Sequence, residues 1–226
     1  MIPRVHKRGT RTIGLIYYLY GPGTHEEHID PHLVAAWDPL VPDPGRDPDA
    51  TYGDMQRLLD QPVDMLAQGN RPTEHVWHLS VRAAPEDPIL SDEQWGEIAR
   101  RMVAATGIAP EGDSAGCRWA AVRHADDHIH IIATIVREDG RQARLRNDGR
   151  RSQAEARKIE ADYGLRRLDT GDGTAAKCPP APNSTRPNAK AGNDRPARSC
   201  ARPYGVPWPE PRARRSSSSG WPPPAY

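Results

Sequence analysis

The sequence predicts an α+β fold, a mainly antiparallel sheet with helices packed on one face, and three observations carry that prediction. Apolar and polar residues alternate from His75 to Arg82 as a half-buried strand requires, with Trp77, Leu79 and Val81 turned one way and His78, Ser80 and Arg82 the other. A helix follows: Ser91 and Gln94 form a capping box, Trp95, Ile98, Ala99, Met102 and Val103 share a face, and Gly107 closes the last turn. Two more strands, 116–123 and 128–136, are joined by a short turn at Ala125–Asp127 and read as a hairpin. A strand, a helix and a strand pair in that order favour an antiparallel sheet backed by helices.

The other elements are read in chain order. From Thr10 to Tyr20 a helix is predicted with Ile13, Ile16, Tyr17 and Tyr20 on its apolar stripe and Tyr18 off it; Gly21, Pro22 and Gly23 stop it. Four prolines between Asp38 and Asp49 mark a loop, and Thr51 to Gln68 reads as a modest helix broken at Pro62. Arg150 to Asp162 is a charged helix closed by Gly164, either solvated or facing phosphate.

The 226 residues suffice for one ordinary domain, expected at 1–177. Twelve of the 24 prolines follow Lys177, apolar periodicity ends there, and 178–226 is expected to be a disordered tail rich in Pro, Arg and Ser. A second reading of the tail is a shifted frame. Back-translated through GC-rich codons, Pro179 to Tyr226 yields a charged amphipathic helical sequence in another frame, which would make the chain a truncated form.

With 31 Lys and Arg against 30 Asp and Glu the net charge is only +1, but segregated charge still permits a basic face for DNA. Cys117, Cys178 and Cys200 are odd in number and widely spaced with no CxxC pair, which indicates neither a disulfide framework nor a cysteine-rich zinc site and fits a reducing cytoplasm. No apolar run is long enough to cross a bilayer, so no membrane insertion is expected.

The chemistry is concentrated in His124-Ala-Asp126-Asp127-His128-Ile-His130. Side chains alternate along a strand, so His128 and His130 project from one face, with Ile129, Ile131 and Ile135 in the core behind them. His124, across the turn, can supply a third nitrogen, giving a three-histidine metal site with open positions for water and a substrate oxygen. Asp126 is expected to orient one imidazole or to accept a proton from an attacking hydroxyl. His78 and Ser80 share the polar face and are expected to line the site. The plainer alternatives are surface histidines or a structural zinc, the latter needing a fourth ligand such as His78.

Two histidines flanking one apolar strand residue, preceded by a histidine and an aspartate, resemble the third motif of the HUH endonuclease superfamily and, within it, the plasmid mobilization relaxases. Tyr18-Leu-Tyr20-Gly21-Pro22-Gly23 is similar to the first motif of that family, and the strand with His78, Leu79 and Ser80 followed by the helix from Ser91 and Asp92 is similar to the second. The resemblance covers about residues 1–177; the insert of three residues between His124 and His128 is shorter than in many members.

The resemblance implies a split βαβ relaxase fold and site-specific, strand-specific nicking at a plasmid transfer origin through a 5′-phosphotyrosine intermediate on Tyr18. It also implies magnesium or manganese as the ion, although three imidazoles suit zinc as well. The implied partners are single-stranded DNA, an accessory DNA-binding protein and a coupling protein. Arg4, Lys7 and Arg8, and Arg141, Arg144, Arg146, Arg150 and Arg151, are candidate phosphate contacts. Two other readings stay open: a DNA-binding module without catalysis, and a metal-dependent hydrolase of another substrate that uses no tyrosine.

Overall fold

Each strand of the sheet finds its place through the two-residue alternation of its side chains. In the computed structural model, which describes residues 1–21 and 29–168, the strands are β1 (Ile2–Val5), β2 (His32–Ala36), β3 (Val76–Arg82), β4 (Cys117–Ala125) and β5 (His128–Arg137). They form one antiparallel sheet in the order β1-β3-β5-β4-β2. The tail expected at 178–226, with its frame-shift reading, lies outside the described residues, as do Pro22 and Gly23.

β5 is central because it is covered on both faces: every residue from His128 to Val136 is buried. The hairpin of β4 and β5 is as predicted, and β3 pairs with the other side of β5, setting Ser80 opposite His130 and Arg82 opposite His128. β1 and β2 were not foreseen. Both are short edge strands, one containing Pro3 and the other interrupted by a register shift between Leu33 and Ala35, so neither carries a clean alternation.

The α+β class and the rear helical layer match the expectation. On that rear face α3 (Asp92–Thr106) and α4 (Asp148–Asp162) cover Trp77, Leu79, Val81, Ala121, Ile129, Ile131 and Ile135 in one core. The capping box of Ser91 and Gln94 and the left-handed Gly107 end α3 as read from the sequence. At Gly96 a Cβ would come within 2.9 Å of the Val34 carbonyl, so glycine lets α3 lie directly on β2.

The helices are not confined to one face. On the front, α1 (Thr12–Tyr20), which carries Tyr18, and α2 (Tyr52–Asp64) cover Val76, Ala120, Val122 and Ile132 in a second core. α2 also runs through Pro62 instead of breaking there. Proline lacks the N–H that would bond the carbonyl four residues back, that of Leu58; Arg118 Nη1 takes its place at 2.6 Å.

The apolar stripe of α1 is rotated from the expected one. Thr12, Ile16, Leu19 and Tyr20 are buried, whereas Tyr17 is 56 % exposed. Thr12 turns inward because its hydroxyl has partners there: it donates to Asp60 and lies 3.3 Å from His75 Nε2. Among the described residues no helix is long and apolar enough to cross a membrane.

Candidate functional site

Register alone lines up residues of four strands in rows on the front face. Arg4, Ser80, His130 and Val122 lie abreast on β1, β3, β5 and β4, and Ile2, Arg82, His128 and Ala125 form the next row. His124 comes in from the end of β4. The rings of His124 and His128 are 4.5 Å apart by centroid, and those of His124 and His130 4.6 Å. One nitrogen from each of the three can be chosen so that all lie within 4.8 Å of one another, and all three residues are buried.

The outward nitrogens of two of these rings are held by neighbours. His130 Nδ1 is 2.7 Å from His78 Nε2, and His128 Nδ1 is 2.5 Å from Asp127 Oδ1. In His130 this turns Nε2 toward a shared ion, the arrangement expected of a histidine ligand with a partner behind it, while His128 Nε2 also lies 3.5 Å from Arg82 Nη2. Burial, reinforced by the surrounding imidazoles, pushes His130 well below the ordinary histidine range, and burial with His6 and His124 does the same to His78. Both rings are therefore neutral, the form that binds a metal. Three buried imidazoles with this support fit a divalent transition ion, manganese included, better than calcium, which prefers an all-oxygen shell.

Tyr18 stands over this cluster. Its ring is 6.2 Å from that of His130, edge to face, while Tyr17 packs edge-on against Tyr52 and Tyr20 is buried with its hydroxyl donating to Asp43 at 3.0 Å. Burial, then the Asp43 carboxylate, holds the Tyr20 phenol far above its ordinary value. The core role expected of both flanking tyrosines thus holds for Tyr20 only. α1 stops at Gly21, where a Cβ would lie 2.6 Å from the Tyr17 carbonyl oxygen.

Some expected residues are placed otherwise. The carboxylate that holds an imidazole belongs to Asp127, not Asp126. The Asp126 side chain is 83 % exposed and faces Arg123 at 3.6 Å, because successive residues of the turn point to different sides. Arg4 is exposed on the front face, in the row of His130, with Lys7 and Arg8 exposed just beyond β1. Arg141 pairs with Asp139. Arg144, Arg146, Arg150 and Arg151 belong to the segment leading into α4 and to α4 itself, behind the sheet, and Arg151 bonds the carbonyls of Thr106 and Arg144.

Three residues of the site were not singled out from sequence. Arg82 reaches from β3 to 3.3 Å from His128 Nδ1 and 3.4 Å from Asp127. Asp127 itself could have been found, since it immediately precedes His128. His6, just past β1, stacks on His78 with ring centroids 4.1 Å apart and lies 2.9 Å from Ser80 Oγ. Burial, with Arg4 adding, lowers the His6 imidazole to about 4. Nothing in the sequence links His6 to His78 until β1 is known to pair with β3.

An antiparallel sheet with a histidine trio on one face and a tyrosine helix above it defines a candidate metal centre. A family model described as Relaxase: MobA/VirD2-like, nuclease domain, matches residues 47–165, more than half of the chain, and the chain belongs to that family. The matched span runs from before α2 into the close of α4 and includes His78, His124, His128 and His130 but neither His6 nor Tyr18. No curated protein and no solved structure matches the chain. The domain is thus a mobilization relaxase nuclease, a nucleic-acid endonuclease that binds single-stranded DNA, and the metal dependence of the family fits the buried histidines.

Proposed function

We propose that this domain nicks one DNA strand at a plasmid transfer origin by transesterification onto Tyr18. The observation that carries the reading is the position of the Tyr18 ring against His130, on the one face where His124, His128 and His130 converge. In this reading Tyr18 Oη attacks the scissile phosphorus, a bond from Tyr18 to phosphorus forms, and the bond to the 3′-oxygen breaks. A free 3′-hydroxyl and a 5′-phosphotyrosine result. The intermediate keeps the energy of the broken phosphodiester, so the strand can be resealed or transferred without another energy source.

His124, His128 and His130 would hold the ion, magnesium or manganese, which when bound supplies positive charge against the scissile phosphate oxygens. Asp127 and His78 hold two of these rings in place. Arg82 and Arg4, on the same face, attract the phosphate backbone. The phenol proton passes to solvent or to the exposed Asp126 carboxylate in the turn, and the departing 3′-oxygen takes up a proton from solvent. The accessory DNA-binding protein and the coupling protein belong to this proposal as partners of the whole transfer reaction.

The test is a covalent trap. The purified chain is mixed with manganese and single-stranded oligonucleotides tiled across the DNA flanking its own gene, then run on a denaturing gel. A protein band shifted by attached DNA and lost in Tyr18→Phe is the expected result. DNA binding without any adduct would point instead to a binding module, and turnover that survives Tyr18→Phe to a hydrolase using activated water.

A further inference from the structure

We infer that His6 is a positioning residue for the metal centre, acting on the ligand His130 through His78. The inference rests on the proposed metal role of His130 but concerns His6, which lies outside the family match and to which the proposed chemistry assigns no role. Three contacts form a continuous relay. His6 Nε2 lies 2.9 Å from Ser80 Oγ, the His6 ring stacks on His78 at 4.1 Å with the planes 12° apart, and His78 Nε2 lies 2.7 Å from His130 Nδ1.

Each contact removes a freedom that the next residue needs to lose. The Ser80 bond fixes the rotation of the His6 ring. Stacking against that ring fixes the plane of His78, which would otherwise rotate about its Cα–Cβ and Cβ–Cγ bonds. A His78 ring held in plane offers Nε2 as the acceptor for the His130 Nδ1–H, which sets the tautomer and leaves His130 Nε2 for the ion. Imidazole ligands are commonly held by a carboxylate or a backbone carbonyl, as Asp127 holds His128 here. On His130 that work is done by a neutral aromatic partner, which needs an outer neighbour to orient it, and β1 supplies one.

The relay is tested on the full chain by manganese titration calorimetry and by the visible absorption of bound cobalt(II), with thermal melts alongside. His78→Ala should weaken metal binding by roughly 10–100-fold, as expected for loss of a ligand's supporting partner, and His78→Gln, which keeps an acceptor, should recover part of it. His6→Ala should weaken binding by roughly tenfold and broaden or shift the cobalt bands, whereas His6→Phe, which keeps a flat ring for stacking but loses the Ser80 bond, should recover only part of that loss. A merely structural role for His6 would lower the melting temperature of His6→Ala and leave affinity and cobalt spectrum unchanged; that result overturns the inference. A wild-type chain that binds neither ion overturns it together with the proposed function. A wild-type chain that binds metal yet forms no DNA adduct defeats the proposed chemistry alone, and the His6 variants still decide the relay.

Discussion

Asp127 Oδ1 lies 2.5 Å from His128 Nδ1, although Asp126 beside it is turned to Arg123. The two acids of one turn therefore differ in what they do. Asp127→Ala should lower manganese affinity by roughly 10–100-fold, since the ring it holds is a proposed ligand, and Asp126→Ala should leave affinity within about twofold. Calorimetric titration of both variants checks this; equal losses would mean that charge near the site matters and the hydrogen bond does not.

The three tyrosines of α1 should separate cleanly. Tyr18→Phe is expected to abolish the covalent DNA adduct with little change in melting temperature. Tyr20→Phe removes the buried bond to Asp43 and should cost about 0.5–1.5 kcal/mol in urea unfolding while keeping the adduct. Tyr17→Phe should change neither, because Tyr17 is exposed and keeps its ring against Tyr52.

DNA affinity should depend on which face an arginine occupies. Arg4→Ala and Arg82→Ala should each weaken binding of single-stranded DNA and reduce the slope of log affinity against log salt by about 0.7, the share of one phosphate contact on a single strand. Arg146→Ala and Arg150→Ala, behind the sheet, should leave the slope unchanged. Fluorescence anisotropy at several salt concentrations measures all four.

Arg118 replaces the hydrogen bond that Pro62 cannot make. Arg118→Ala leaves the Leu58 carbonyl without that donor and should cost about 1–3 kcal/mol. In a Pro62→Ala background the helix regains its own N–H, so the same change should cost about 1 kcal/mol less. A double-mutant cycle in urea reads the coupling directly.

The metal-free chain should lose stability as the medium becomes acidic. Unfolded imidazoles bind protons near 6.5, but His78 and His130 are held well below that and His6 at about 4. Below 6.5 the unfolded chain therefore takes up protons that the folded one refuses, and the stability present above 6.5 is lost as pH falls toward the folded values. His75 works the other way. Its hydrogen bond to Asp60 raises it, so its contribution is full at low pH and fades as pH rises through its raised value. With three groups against one, melting temperatures in chelator should fall from about pH 7.5 to about pH 5.5.

Local pattern made much of this legible. The alternation of β3, the capping box of α3 and the hairpin of β4 and β5 are decided by neighbours in sequence, and so was the grouping of His124, His128 and His130. What escaped depends on distant partners. The stripe of α1 was misread because Thr12 is drawn inward by Asp60 and His75, residues 48 and 63 positions away. α2 survives Pro62 only through an arginine on β4, and the place of His6 follows from the pairing of β1 with β3. Asp126 and Asp127 are adjacent acids whose difference lies in the path of the turn.

The strand order β1-β3-β5-β4-β2 has a consequence for the order of assembly. Both edge strands and the helix with Tyr18 come early in the chain, while β5, to which the centre of the sheet is pinned, comes near the end of the described fold. During synthesis the tyrosine emerges from the ribosome first and has no histidines to meet until His130 has followed it out. In the proposed reading, the chemistry of Tyr18 is thus withheld by topology from any nascent chain that has not yet extended past β5.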